Sequence, residues 1–294
     1  MKKENIDLFQ LKMIRGKIPP KKENLTLQPE EDGFIRLRLD GEAARMGGVK
    51  WSSDKYLVID MLSDMDAMTT VDVTFFREGN GNSKDANTLS YHMIPTKRVR
   101  MVVKLDELES RRHFLPTLPG TLKGHVTGRP ADISAMNAVE LTIHPGYSHT
   151  FRSFTIHEIY LSDQIPDMTV TGEPMVDEMG QWIQKDWNTK THSEEELISY
   201  LKQEYERAKT DNRYPEGWSR YGGYRKIQFD PTGYFHTHFD GRRWWLADPD
   251  GYAFFSNGVC YGSRMGDFGF TDKMENLFLR LPEKDDPVYR YAWT

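Results

Sequence analysis

The chain has 294 residues, of which 38% are hydrophobic and 28% charged, and its formal net charge is -5. That length fits one or two domains with enough apolar side chains for a core, and the acidic balance offers no electrostatic footprint for nucleic acid. No run nears the ~18 apolar residues of a membrane-spanning helix, and the single cysteine, Cys260, can make neither an internal disulfide nor a cysteine metal site.

The N-terminus, Met1-Lys2-Lys3-Glu4-Asn5-Ile6, leads into mixed polar residues without an apolar leader core. Residues 1–32 are polar and broken by Pro19-Pro20 and Pro29, so they are expected to form an extended lead-in lying on something else.

Residues 33–163 read as β. Phe34–Leu39, Val71–Arg77, Arg98–Leu105 and Ala138–His144 alternate apolar and polar residues. Period-two alternation buries one face of a strand and wets the other. Tyr56–Leu62 reads as a more fully buried strand, and the stretch Phe151–Leu161 closes the set. Turn clusters at 78–85 and 144–148 separate these runs, and six or more such strands predict a mainly β fold, a jelly-roll-type antiparallel β-sandwich. No strong helix is expected before about residue 190.

Residues 164–217 read as a linker with one helix. Ser193 has N-cap chemistry and Glu196 stands three residues on, a capping box. Leu197, Tyr200, Leu201 and Tyr205 form its apolar stripe, and Asp211–Gly217 stops it.

Residues 218–294 open as a β-meander. Asp230-Pro231-Thr232-Gly233, Asp240-Gly241 and Asp248-Pro249-Asp250-Gly251 are turn signals, since Pro presets φ and Gly tolerates positive φ. The aromatic runs beside them, Tyr234–Phe239, Trp244-Trp245 and Tyr252–Phe255, favour strands. The last strand is expected to run on through Val259. Beyond it come a glycine-punctuated loop and a short helix at 272–281.

Gly233 to Val259, with Asp240-Gly241-Arg242-Arg243-Trp244-Trp245 and Asp248-Pro249-Asp250-Gly251 in matching places, resembles the entry to the catalytic barrel of the β-agarases of glycoside hydrolase family fifty. Upstream, Asp177-Glu178-Met179-Gly180-Gln181 and Lys185-Asp186-Trp187 resemble that family's linker, although Asn188-Thr189 replaces its usual Pro-Gly. The resemblance spans roughly residues 170 to 265. It implies a carbohydrate-binding-module-like sandwich before a (β/α)8 barrel, a retaining mechanism with two glutamates, a galactan polysaccharide as partner, and secretion or a periplasmic location.

Retaining chemistry needs two carboxyls about 5 Å apart, and a whole barrel takes roughly 200 to 250 residues. The stretch beyond Gly217 is far shorter and holds at most the first barrel strand, expected at Ala253–Tyr261. The family's two glutamates match no residue here, so no catalytic residue is assigned and the chain itself is expected to be non-catalytic. Asp248 and Asp250 read as turn formers, while Asp267 and Glu275 are unassigned carboxylates. His236 and His238 share a strand face but lack an evident third ligand, so no metal and no cofactor are expected. A structural Ca²⁺ in the sandwich stays open, since no strong ligand run is visible.

Sugar recognition combines an aromatic ring with groups that hydrogen-bond hydroxyls. In the sandwich, Trp51 at a Gly47-Gly48 loop, and Tyr147, His149 and Arg152 in a second loop, are the substrate-binding candidates. In the barrel start they are Asn257 and Arg264, after a strand whose C-terminal end would face an active site. Three readings follow: the N-terminal portion of an agarase-like hydrolase, a stand-alone carbohydrate-binding protein, or a structural module without a sugar site. The second needs Phe254, Phe255 and Val259 covered, as in a homo-oligomer; the third predicts Trp51 and Tyr147 buried.

Overall fold

The computed structural model describes residues 2–16, 25–77, 86–144, 153–211, 213–258 and 271–293. The chain divides into two compact units, Met1–Lys185 with Phe270–Thr294, and Asp186–Gly269. The strands, in chain order, are β1 (Lys3–Ile6), β2 (Lys12–Arg15), β3 (Leu25–Leu27), β4 (Ile35–Glu42), β5 (Arg45–Met46), β6 (Val49–Lys50), β7 (Tyr56–Ser63), β8 (Thr69–Phe76), β9 (Asn87–Met93), β10 (Arg98–Lys104), β11 (Gly124–Gly128), β12 (Ala138–Ile143), β13 (Phe154–Ser162), β14 (Gly223–Gln228), β15 (His236–Phe239), β16 (Trp244–Ala247) and β17 (Tyr252–Phe254).

The first unit is a mainly β sandwich of antiparallel sheets. One sheet runs β1-β13-β7-β10, with β3 also on β13; the other runs β11-β9-β8-β12-β4-β5-β6, with β2 also on β4. The apolar half of each alternating run fills the space between them: Ile35, Leu37 and Leu39 of β4, Val71, Val73 and Phe75 of β8, Leu57, Ile59 and Met61 of β7. The long strands expected from alternation all form. The lead-in does lie on the sandwich, and its strands β1, β2 and β3 add to both sheets. Two further strands form outside the expected set. In β9, Leu89, Tyr91 and Met93 enter the core and alternate with Ser90 and His92, and β11 is five residues bounded by glycines.

The outer face of the smaller sheet is covered by the segment after β13. Met168 packs with Val58, Val102, Tyr160 and Leu118. Beside them Asp60, 1% exposed, takes Arg98 in a two-point pair (Nε–Oδ1 2.7 Å, Nη2–Oδ2 3.1 Å) and Arg100 Nε at 2.9 Å. Lys97 Nζ reaches the Glu173 carbonyl at 2.5 Å and pins the turn at Gly172. At 177–181, Asp177 Oδ1 accepts from Met179 N and Gln181 N, and Gly180 takes φ 76°, so the Asp-x-x-Gly-Gln element is a self-capped turn.

Residues 271–279 also pack on this unit, whereas the sequence grouped them with the meander. Val170 N donates to Lys273 O, Met175 N to Leu277 O and Leu279 N to Val176 O, while Met274 and Leu277 enter the sandwich core. The helix expected at 272–281 shrinks to one 3₁₀ turn, Glu275–Leu277, because these backbone groups pair with the 170–176 segment instead.

Among its described residues the second unit holds one helix, α1 (Glu194–Thr210), and a sheet ordered β14-β17-β16-β15. Ser193 Oγ accepts from Glu196 N at 3.2 Å, so the expected N-cap starts the helix, while Glu196 Oε2 reaches one residue further back and accepts from His192 N at 2.7 Å. Its apolar stripe is not buried: Tyr200, Leu201 and Tyr205 are all exposed. The meander's turns fall at Gly241 and Gly251, at φ 91° and 87°. The last strand is shorter than expected. It ends at Phe254, Phe255–Gly258 carry no strand, and Val259–Tyr261 lie outside the described residues.

Candidate functional site

The residues that alternate with the sandwich core project from the outer face of the larger sheet. Strand register places His125 opposite Ser90, Ser90 opposite Asp72, Asp72 opposite Thr142, and Thr142 opposite Arg36. One polar row thus crosses five strands, from β11 through β9, β8 and β12 to β4. A parallel row joins His92 to Thr70, whose carbonyl accepts from His144 N.

Hydrogen bonds tie the rows together. His144 Nε2 donates to Asp72 Oδ2 at 2.7 Å, and Thr70 Oγ1 lies 3.2 Å from His92 Nδ1. On the far side of the row, Thr74 Oγ1 meets Thr88 Oγ1 at 2.9 Å. Burial works to raise the Asp72 carboxyl, but hydrogen bonds from His144 and Ser90, with the charges of His144 and His125, hold it below the ordinary carboxylate range. Burial, with repulsion from His125, pushes His92 below the usual imidazole value against the pull of Asp72.

Three imidazoles gather at the β11 edge, with ring centroids 6.1 Å apart for His92–His125 and 5.7 Å for His113–His125. Phe114, 52% exposed, bridges to His125, with Lys123 Nζ 4.0 Å from its ring centre. At the β4 edge, Phe34 packs edge-on against His144. Among the described residues no group of three His, Cys, Asp or Glu side chains is placed to hold a metal ion.

Four described cations of this face are paired. Arg36 Nε meets Glu140 at 3.1 Å, Arg38 Nε and Lys12 Nζ both meet Asp40, and Arg15 pairs with Asp32. Lys12 and then Arg38 lower the Asp40 carboxyl.

Of the residues expected to touch sugar, Trp51 needs correction. It is 2% exposed, its Nε1 donates to Met46 O at 2.9 Å, and its ring meets Phe75 edge-on in the core. The two-glycine loop folds inward, so neither face of the indole is open to a pyranose. Asn257 is exposed. Tyr147, His149, Arg152 and Arg264 lie outside the described residues, as does Asp267. His92, His125 and Asp72 were not expected from the sequence as site residues; Asp72 is the outward half of the Val71–Arg77 alternation, and His92 is the outward half of a similar alternation in β9.

In the second unit the expected turn carboxylates are structural. Asp248, fully buried, accepts from Ser219 Oγ, from Tyr252 N at 2.9 Å, and closes the turn through Gly251 N on its own carbonyl. Asp250 pairs with Arg220 at 3.2 Å. His238 stacks on Phe229 with centroids 4.1 Å apart, and His236 Nδ1 lies 2.8 Å from Thr232 Oγ1, so both histidines serve local packing.

A scan against protein-family models found no match. A β-agarase B from Vibrio sp. (strain JT0107) is 30% identical over 161 residues, which cover 47% of this chain and 17% of that protein. Among solved structures, PfGH50B is similar with a TM-score of 0.45 at 18% identity, over 95% of this chain and 43% of the other. An exo-β-agarase gives a TM-score of 0.41 at 22% identity, covering 85% and 36%. The agarase AgWH50C gives 0.42 at 18%, covering 98% and 44%. The chain therefore spans less than half the length of each of these proteins. In sequence, a stretch of this chain is similar to part of a β-agarase.

Proposed function

We propose that this chain serves an agarase-like glycoside hydrolase as a non-catalytic recognition portion, and that the whole enzyme cleaves a galactan of the agar class by a retaining mechanism. The observation that carries this reading is the 30% identity to a β-agarase over 161 residues. The motif from Gly233 to Val259 points the same way. An extracellular or periplasmic location goes with such a substrate, a polymer too large to enter a cell intact.

The non-catalytic part of the reading is supported by three carboxylates that are already committed. A retaining glycosidase needs two of them free to flank one bond. Asp248 is locked by Ser219 and Tyr252, Asp250 by Arg220, and Asp72 by His144. Each is committed to holding strands or turns together.

The test sets this chain against agar, porphyran, carrageenan and plant polysaccharides, reading reducing ends and retardation in affinity gels in parallel. Retardation by agar without release of reducing ends is the expected result. Release of reducing ends would place a working carboxylate pair within these residues and overturn the non-catalytic reading.

A further inference from the structure

We infer that the outward row His125–Ser90–Asp72–Thr142–Arg36 of the larger sheet is a binding track for a neutral oligosaccharide segment lying across the strands. This deepens the recognition role proposed above and rests on it. Neighbouring strands stand about 4.8 Å apart, close to the advance of one pyranose along an extended chain. Each strand of the row therefore offers one hydrogen-bonding group per sugar residue.

The chemistry of the row suits hydroxyls. Hydroxyl, imidazole and carboxylate groups can between them donate and accept. They are held in place: Asp72 by His144, and the neighbouring His92 by Thr70. Ser90 and Thr142 are only 5% and 7% exposed, set low between larger neighbours. Locked rotamers reduce the ordering cost of binding. Phe114, beside His125, supplies an exposed apolar ring at one end of the row. A simple wetted face of an antiparallel sheet is also polar, but it has no need to sink its short hydroxyls and clamp its imidazoles.

The charges select the class of sugar. Arg36 is matched by Glu140, Arg38 and Lys12 by Asp40, and Arg15 by Asp32, while Lys123 at the β11 end lies over the Phe114 ring. A sulfated chain would have to displace these carboxylates and would face Asp72 as well. An uncharged chain meets neither cost.

Calorimetric titration of the full chain with a neutral agarose-derived oligosaccharide, and in parallel with a sulfated carrageenan-derived one, tests the assignment. His125→Ala and Ser90→Ala should each weaken binding of the neutral sugar roughly tenfold, the loss of one or two well-made hydrogen bonds. The melting temperature of His125→Ala should stay near that of the unaltered chain, and Tyr205→Ala on α1 should bind normally. Neutral-sugar binding that survives both row substitutions overturns the track and leaves the recognition role standing. Tighter binding of the sulfated sugar overturns the neutral assignment. Failure to bind any galactan removes the recognition role and the track together.

Discussion

His144 Nε2 donates to Asp72 Oδ2 across 2.7 Å, tying the end of β12 to the middle of β8 on the outer face of the larger sheet. Burial opposes the Asp72 charge, and the hydrogen bonds from His144 and Ser90 outweigh it, so the folded-state value lies below the unfolded one. A depressed carboxylate adds stability above its unfolded value, about pH 4, and loses it as pH falls through the lower folded value. The stability gap between the unaltered chain and Asp72→Asn should therefore be widest near neutrality and close in acid. Urea unfolding at a series of pH values measures it; a gap independent of pH would mean that the carboxylate charge has no part in holding the two strands.

His92, whose charged form is a cation, gives a second pH signature of opposite origin. Burial and repulsion from His125 disfavour its protonated form in the folded chain. The unfolded chain then binds the proton more readily, so stability should fall as pH drops below about 6.5, the ordinary imidazole value. His92→Gln removes the proton-binding group and should flatten thermal stability between pH 7 and about 5. An unchanged slope would assign that pH dependence to other groups.

The architecture was legible wherever burial is one-sided. β4, β8, β10 and β12 each put every second residue into one core, so alternation alone located them. β9 and β11 were not among the expected strands: β9 does alternate, with Leu89, Tyr91 and Met93 in the core and Ser90 and His92 between them, whereas β11 offers only Val126 between two glycines. The turn chemistry at Asp240-Gly241 and Asp248–Gly251 was equally local and formed as read. Residues 271–279 could not be placed in the same way, because their partners lie at 120 and 170–176, a pairing set by tertiary packing. Trp51 misled for a related reason. An aromatic beside two glycines has the same local sequence whether the loop points outward or folds onto Phe75.

Trp51 itself gives a decisive contrast between packing and recognition. Its truncation to alanine empties a fully enclosed site and leaves Met46 O without its donor. Large aromatic truncations of this kind cost about 3–5 kcal/mol. Trp51→Ala should therefore lower stability to chemical denaturation by about that amount, and Trp51→Phe by less. A variant that kept full stability but lost sugar binding would restore Trp51 as a stacking platform.

Asp248 organises the second unit much as the core organises the first. Its carboxylate joins Ser219, ahead of β14, to Tyr252, the first residue of β17. Ser219 Oγ in turn accepts from Gly223 N at 2.9 Å. A Cβ on Gly223 would collide with the Asp248 carboxylate, which is why the close approach takes glycine. Asp248→Ala strands a buried hydroxyl and a backbone N–H, at a cost of about 1–3 kcal/mol for each. Amide exchange across β14 and β17 should accelerate in this variant and in Gly223→Ala, while the sandwich strands stay protected. Equal acceleration in the sandwich would show that the two units unfold as one.

Asp240 shows how a fully exposed residue can still fix a hairpin. It accepts from Trp245 Nε1 at 2.6 Å and from the backbone N–H groups of Arg242 and Arg243, both at 2.8 Å. The Trp245 bond, followed by the two backbone bonds, holds its carboxyl down at about 2. Arg243 meanwhile stacks over the Trp245 ring with its guanidinium carbon 3.8 Å from the centroid. The clamp should therefore persist through mild acid and release only as pH falls toward 2. Asp240→Ala should free the indole at every pH, shifting Trp245 fluorescence to the red and speeding exchange of the Arg242 and Arg243 amides. Since seven tryptophans share the signal, the comparison is made in a Trp245→Phe background, where the shift should vanish. A shift that persists there would come from another indole, and the Asp240 clamp would not be its source.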